Sequence, residues 1–113
     1  MTFYLNIDDT PFNKIKNGSK VVEMRLFTDK RKDVSIGDEL VLKNTLTNEE
    51  IKVKVKGVYP FSTFKELYEY FPKEMLGYQK DEEAKYQDMY LYYEQSKIKE
   101  YGVVGFHIEK IAK

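Results

Sequence analysis

Residues 51–61 read IKVKVKGVYPF, and their first half alternates strictly: Ile51, Val53 and Val55 against Lys52, Lys54 and Lys56. A period of two describes a strand with one face on a core and the other in water, and such a strand needs partners of the same kind. Gly57 in its middle predicts a bulge or bend where a sheet turns a corner. Partners are at hand. In residues 2–7, TFYLNI, Phe3, Leu5 and Ile7 alternate with Thr2, Tyr4 and Asn6. Residues 20–27, KVVEMRLF, carry Val where a strand favours it. Residues 39–44, ELVLKN, follow a turn at Ile36-Gly37-Asp38-Glu39, and Thr47-Asn48-Glu49 predicts a hairpin turn into the Lys-rich strand. The last strand, VVGFHIEKI, sets Val104, Phe106 and Ile108 on one side and Val103, Gly105 and His107 on the other.

Helical signals interrupt this pattern at two places. Asp9 or Thr10 can cap a short helix with Pro11 at its first position, Phe12 and Ile15 on its apolar face, and Asn17-Gly18 as its stop. After the Lys-rich strand, Ser62 or Thr63 can cap a helix whose face is Phe64, Leu67, Tyr68 and Phe71, broken at Pro72. A further helix is expected to begin near Asp81, with Glu82 and Glu83 in its first turn and a stripe of Tyr86, Met89, Tyr90 and Tyr93, ending before Tyr101-Gly102. The order β-α-β-β-β-α-α-β predicts an α+β fold, a mixed sheet curled into a β-barrel with inserted helices. The 113 residues suit one domain.

Composition narrows the function. The 19 Lys and Arg balance 19 Asp and Glu, so there is no overall basic excess of the sort a general nucleic-acid clamp carries. A nucleic-acid partner must be met by a local patch, or the ligand must be small, such as one nucleoside. With no Cys, disulfides, thiolate metal sites and a Cys nucleophile are excluded, and His107, the one His, makes a histidine-based zinc site improbable. No metal or cofactor is expected. The first residues are too polar for a signal peptide and no apolar run approaches the ~18 residues of a membrane span, which points to the cytosol and to no membrane partner. Oligomeric state is not legible.

The chemistry concentrates in Gly18-Ser19-Lys20-Val21-Val22-Glu23-Met24-Arg25, a G-x-K-x-x-E-x-R pattern. Residues two apart on a strand share a face, so Glu23 and Arg25 lie side by side, and a carboxylate there fixes the Arg fork and keeps it charged. Such an Arg can present donors to a phosphate or a base edge. Gly18 allows a ligand close to the backbone. Lys20 can hold a phosphate or, if desolvated, act as a base or nucleophile. The plain alternative is an ion pair on a solvated sheet face, worth little. Lys52, Lys54 and Lys56 form either a solvated face or a phosphate track. Tyr92 lies off the tyrosine stripe, available for stacking. The run Lys30-Arg31-Lys32 reads as a soluble basic loop, and Ser62 and Thr63 as caps rather than nucleophiles.

The eight-residue pattern resembles the signature of the ASCH family of PUA-like domains. Gly37-Asp38-Glu39-Leu40, Phe61-Ser62-Thr63-Phe64, Asp88-Met89-Tyr90 and Tyr101-Gly102-Val103-Val104 resemble that family's other landmarks, so the likeness covers essentially the whole chain. It implies a PUA-like mixed β-barrel and an RNA- or nucleoside-binding role in RNA metabolism or translation, with Gly18, Lys20, Glu23 and Arg25 as ligand-binding residues and Lys52, Lys54, Lys56 and Tyr92 as further RNA contacts. An alternative it implies is an amidohydrolase acting on an N4-acylated cytidine, or a ribonuclease, with Lys20 and Glu23 catalytic. Similar amidohydrolases use a Lys, a Thr and a Glu. Glu23 stands where the Thr is expected, and the catalytic Glu is not assignable among Glu74, Glu82 and Glu83. A protein-interaction module, as in transcription coactivators sharing the domain, is the third class.

Overall fold

The computed structural model describes residues 1–111. Five strands form one sheet in the order β1-β3-β4-β5-β2: β1 (Thr2–Ile7), β2 (Val22–Leu26), β3 (Glu39–Asn44), β4 (Glu50–Phe61) and β5 (Val103–Lys110). Only the β1–β3 pairing is parallel. Its strands are joined by a long connection that carries helix α1 (Asp9–Lys16), β2 and the short helix α2 (Asp29–Lys32). The expected hairpin turn exists between β3 and β4, with Asn48 at φ 64°. The β4–β5 register slips between Val55 and Gly57, so Lys56 is the extra residue of a bulge.

That bulge decides which residues face which side. Before it Val53 and Val55 point inward; after it Val58 takes the inward place, opposite Phe106, and Tyr59 and Phe61 turn outward. The sheet thus carries a core on each face. Leu40, Leu42, Val53, Val55, Val104, Phe106 and Ile108 line the concave side, and Phe12 and Ile15 of α1 pack into it. Val22, Met24, Leu26 and Val103 line the convex side under helix α3 (Phe64–Tyr70), which contributes Phe64 and Leu67, and helix α4 (Gln95–Tyr101), which contributes Ile98. Because β2 and β5 are covered on both sides, all five residues of β2 are buried, charged ones included.

Two helical expectations need correction. Helix α1 begins at Asp9 with Asp8 as its N-cap, so Pro11 is the third helical residue; it is tolerated because first-turn N–H groups have no intrahelical partner. No helix begins at Asp81. Residues 79–85 form an irregular loop with a turn at 80–81, a 3-10 segment spans Tyr86–Leu91, and α4 starts only at Gln95. Tertiary polar contacts divert this backbone: the Lys73 ammonium donates to the carbonyls of Lys80 and Glu82, and the Glu82 carboxylate accepts from the N–H of Gln79 at 2.7 Å. The cap at Thr63 forms as expected, its hydroxyl accepting from the N–H of Glu66 at 3.2 Å.

Gly105 marks the tightest layer contact. A Cβ there would stand 3.0 Å from Phe71 Cε2 and 3.2 Å from Val22 Cγ1. Gly105→Ala should therefore destabilise the protein by about 1–3 kcal/mol through overpacking. Urea unfolding followed by circular dichroism measures this; an unchanged midpoint would mean that α3 shifts freely over the sheet.

Candidate functional site: a buried charge cluster at the seam of the sheet

Strands β1 and β2 are the two edges of the curled sheet. Glu23 and Arg25 pair across the ladder with Phe106 and Val104, both concave-core residues, so the two charged side chains point into the concavity. Arg25 Nε donates to Glu23 Oε2 at 2.7 Å, and Arg25 Nη2 donates to the carbonyl of Asn6, on β1, at 2.7 Å. One guanidinium thus ties the edges together where backbone pairing does not. Lys20, just before β2, places Nζ 3.7 Å from Glu23 Oε1 and donates to the Leu76 carbonyl at 3.1 Å. Lys20, Glu23 and Arg25 are 5%, 5% and 8% exposed. The solvated-face alternative is therefore set aside: these are three buried charges summing to +1.

Burial, the largest influence on Lys20, pulls its ammonium below the ordinary lysine pKa, against the attraction of Glu23; Arg25 and Lys14 push the same way as burial. Burial also opposes the charge of Arg25, but Glu23, Tyr93 and Asp8 outweigh it and hold the guanidinium above its ordinary value. Arg25 Nη1 has no hydrogen bond among the described residues and remains in reach of solvent. The fork therefore has a free prong.

Arg25 lines a pocket of about 260 Å³ together with Asn6, Ile7, Asp8, Glu23, Met24, Thr45, Met89, Tyr92 and Tyr93. Tyr93 is stacked on Phe64 with ring centroids 5.9 Å apart, and burial raises its hydroxyl pKa. Tyr92 is 58% exposed. Met24, Met89 and Tyr92 also line a second pocket of about 260 Å³, with Lys14, Tyr68, Tyr78, Glu82 and Asp88. There Tyr78 donates to Asp88 Oδ2 at 2.8 Å; its single proton is then committed, so Tyr68 donates to Tyr78 across their 2.8 Å contact. Burial pushes Tyr68 up to about 12, and burial together with its bonds to Tyr68 and Asp88 raises Tyr78 further. Both hydroxyls stay protonated at neutral pH and serve as hydrogen-bonding groups, not bases.

Of the residues expected from the sequence, Glu23, Arg25 and Tyr92 line this cleft. Lys20 reaches it only through Glu23. Gly18 ends α1 in the left-handed region at φ 87°, exposed and lining none of these pockets. Lys52 and Lys54 lie on the convex face, away from the cleft, and Lys54 sits between Glu39 and Glu109 in the ladder, a charge alternation that suits a solvated surface. Lys56, in the bulge, is exposed and does not join the cleft either. Among Glu74, Glu82 and Glu83, none lines this cleft and Glu82 alone lines the adjoining pocket. Sequence reasoning read Tyr93 as part of a core stripe and assigned neither Asn6 nor the Tyr68–Tyr78–Asp88 chain to a site, because only folding brings these residues together.

A mixed five-stranded half-barrel, filled from one end by a helix and open along a seam between its edge strands, is the architecture of the PUA-like class. The chain belongs to the ASCH domain family, whose profile matches residues 5–112. It is similar to the crystal structure of hypothetical protein PH0355 (29% identity, TM-score 0.83, covering 98% of this chain and all of that one). It also resembles the solution structure of protein PF0455 from Pyrococcus furiosus (25% identity, TM-score 0.75, full coverage of both). An ASCH protein from Zymomonas mobilis shares the fold at 13% identity, with a TM-score of 0.67 over 94% of this chain and 65% of that one. Among curated proteins none matches. No helix among the described residues is long and apolar enough to cross a membrane.

Two tests follow from the cluster. Glu23→Gln leaves two buried cations without their carboxylate and should cost about 3–5 kcal/mol of stability, read from denaturant midpoints; a loss under about 1 kcal/mol would mean that water already neutralises them. Between the lowered Lys20 pKa and the ordinary lysine value of 10.5, the unfolded chain holds this proton and the folded one has released it. Stability from this residue therefore rises with pH through that window. Lys20→Met should remove that rise in pH-dependent unfolding, and a rise that persists in the variant would assign it to another group.

Proposed function

We propose that the seam cleft binds a nucleoside or a short stretch of single-stranded RNA, the Glu23–Arg25 pair meeting a base edge or phosphate and Tyr92 stacking on a base. One observation carries the reading: a guanidinium locked by a buried carboxylate, with one nitrogen left unbonded, lines a pocket shared with a half-exposed aromatic ring. Base recognition uses that combination, a π face for stacking and a fork of donors for the edge. The ASCH membership supports the same direction.

The amidohydrolase and ribonuclease alternatives draw support from the depressed pKa of Lys20, which suits a base or nucleophile. Against them, the Lys20 ammonium is engaged by Leu76 and Glu23 and does not line either pocket, and Glu23 occupies the place expected of a hydroxyl. Binding without turnover is the better fit, in the cytosol and with no bound metal. The coactivator-type interaction module has no specific feature in its favour.

NMR titration of the labelled protein with cytidine, N4-acetylcytidine and a short single-stranded RNA tests this. Shifts should cluster on residues 6–8, 23–25 and 92–93, and Tyr92→Ala should weaken binding about 5- to 100-fold, the value of one stacked base. Hydrolysis of N4-acetylcytidine, lost with Lys20→Ala, would instead establish the enzyme. No shift with any of the three ligands would overturn the assignment.

A further inference from the structure

The Arg25–Asn6 bridge divides the seam. On the far side from the cleft just described lies an opening of about 520 Å³, lined by residues 2–5 of β1, by Thr28, Lys30, Arg31, Asp33 and Val34, and by Phe106. Phe106 is the ladder partner of Glu23, so the two openings meet at the same buried pair. Here the basic run 30–32 ceases to be a plain surface loop. Helix α2 turns Arg31 back toward the sheet, where it is half-buried and Nη1 donates at 3.2 Å to the carbonyl of Leu26, the residue after Arg25. Its Nε and Nη2 have no hydrogen-bond partner and no carboxylate lies within ion-pair distance among the described residues, whereas its neighbour Lys32 pairs with Asp29. Arg25 and Arg31 repel one another, which, together with burial as the larger influence, lowers the Arg31 pKa.

The charge count around the seam is uneven. Lys20, Arg25 and Arg31 face a single buried carboxylate, Glu23; Asp8 and Asp33 stand on the rim and are exposed, where water screens them. Partly desolvated cations in excess of their partners are costly unless an anion joins them, and the planar guanidinium fork matches phosphate oxygens. We infer that the Arg31 side of the seam is a phosphate subsite, formed by the free Nε and Nη2 donors of Arg31, so that the ligand is a nucleotide or RNA phosphodiester and not a bare nucleoside. This rests on the nucleoside reading above and supplies what it lacks: a local positive patch in a chain whose net charge is zero.

The test compares cytidine, cytidine 5′-monophosphate and inorganic phosphate by isothermal titration calorimetry, on the wild type and on Arg31→Gln. Cytidine 5′-monophosphate should bind the wild type about tenfold or more tighter than cytidine, the value of charge-assisted hydrogen bonds to one phosphate. Inorganic phosphate should compete with it. Arg31→Gln should remove most of that advantage while weakening cytidine far less. Arg31→Lys, which keeps the charge without the fork, should recover part of it. Equal affinity of the wild type for cytidine and its monophosphate would overturn the subsite and leave the nucleoside reading standing; this comparison needs no variant. Equal losses for both ligands in Arg31→Gln would overturn it too, assigning Arg31 a structural role at Leu26. Failure of all three compounds and of RNA to bind would overturn both readings.

Discussion

The Glu23 carboxylate is the constraint around which the rest is arranged. One oxygen accepts a hydrogen bond from Arg25 Nε and the other faces the Lys20 ammonium. Without it, neither cation would tolerate burial, and without Arg25 the two edges of the sheet would lose the hydrogen bond that holds β2 to β1 at Asn6. The same contact that closes the fold therefore builds the cleft. A sheet paired by backbone all the way round would be sealed there; one closed by a side chain keeps an opening at the closure.

The two-sided sheet explains why so polar a cluster is buried at all. Strand β2 is covered on its convex side by Val22, Met24 and Leu26 packing under α3 and α4, and on its concave side it lies against Val104 and Phe106. The close approach at Gly105 lets Phe71 and Leu67 of the α3 region settle on β5 and β2. Residues beyond α3 then supply the walls of the cleft: Met89, Tyr92 and Tyr93 line it with Glu23 and Arg25, and Tyr93 is steadied by Phe64. The ligand surface is a composite of a strand pair and an irregular helical insertion.

Much of this was legible in the chain. The alternation in β4, the Gly57 bulge, the Asn48 turn and the Thr63 cap all rest on local rules that tertiary context did not override. The stretch from near Asp81 to just before Tyr101 reads as one helix because its tyrosine spacing is helical, yet Lys73 and Glu82 capture backbone groups that the helix would need. The lysine row of β4 left both a wet face and a phosphate track open, because which side of the sheet carries the cleft was not legible. Arg31 was indistinguishable from its soluble neighbours Lys30 and Lys32 until α2 turned it inward.

By itself, then, the sequence determined the strands, their faces and the pairing of Glu23 with Arg25, because these depend on periodicity and on residues two apart. Only the tertiary structure decided that this pair is buried, that it spans the seam to Asn6, and that Tyr92, Tyr93 and Arg31 converge on it. Those outcomes depend on contacts between residues 6, 23, 25, 31 and 92, whose separation along the chain no local rule can bridge.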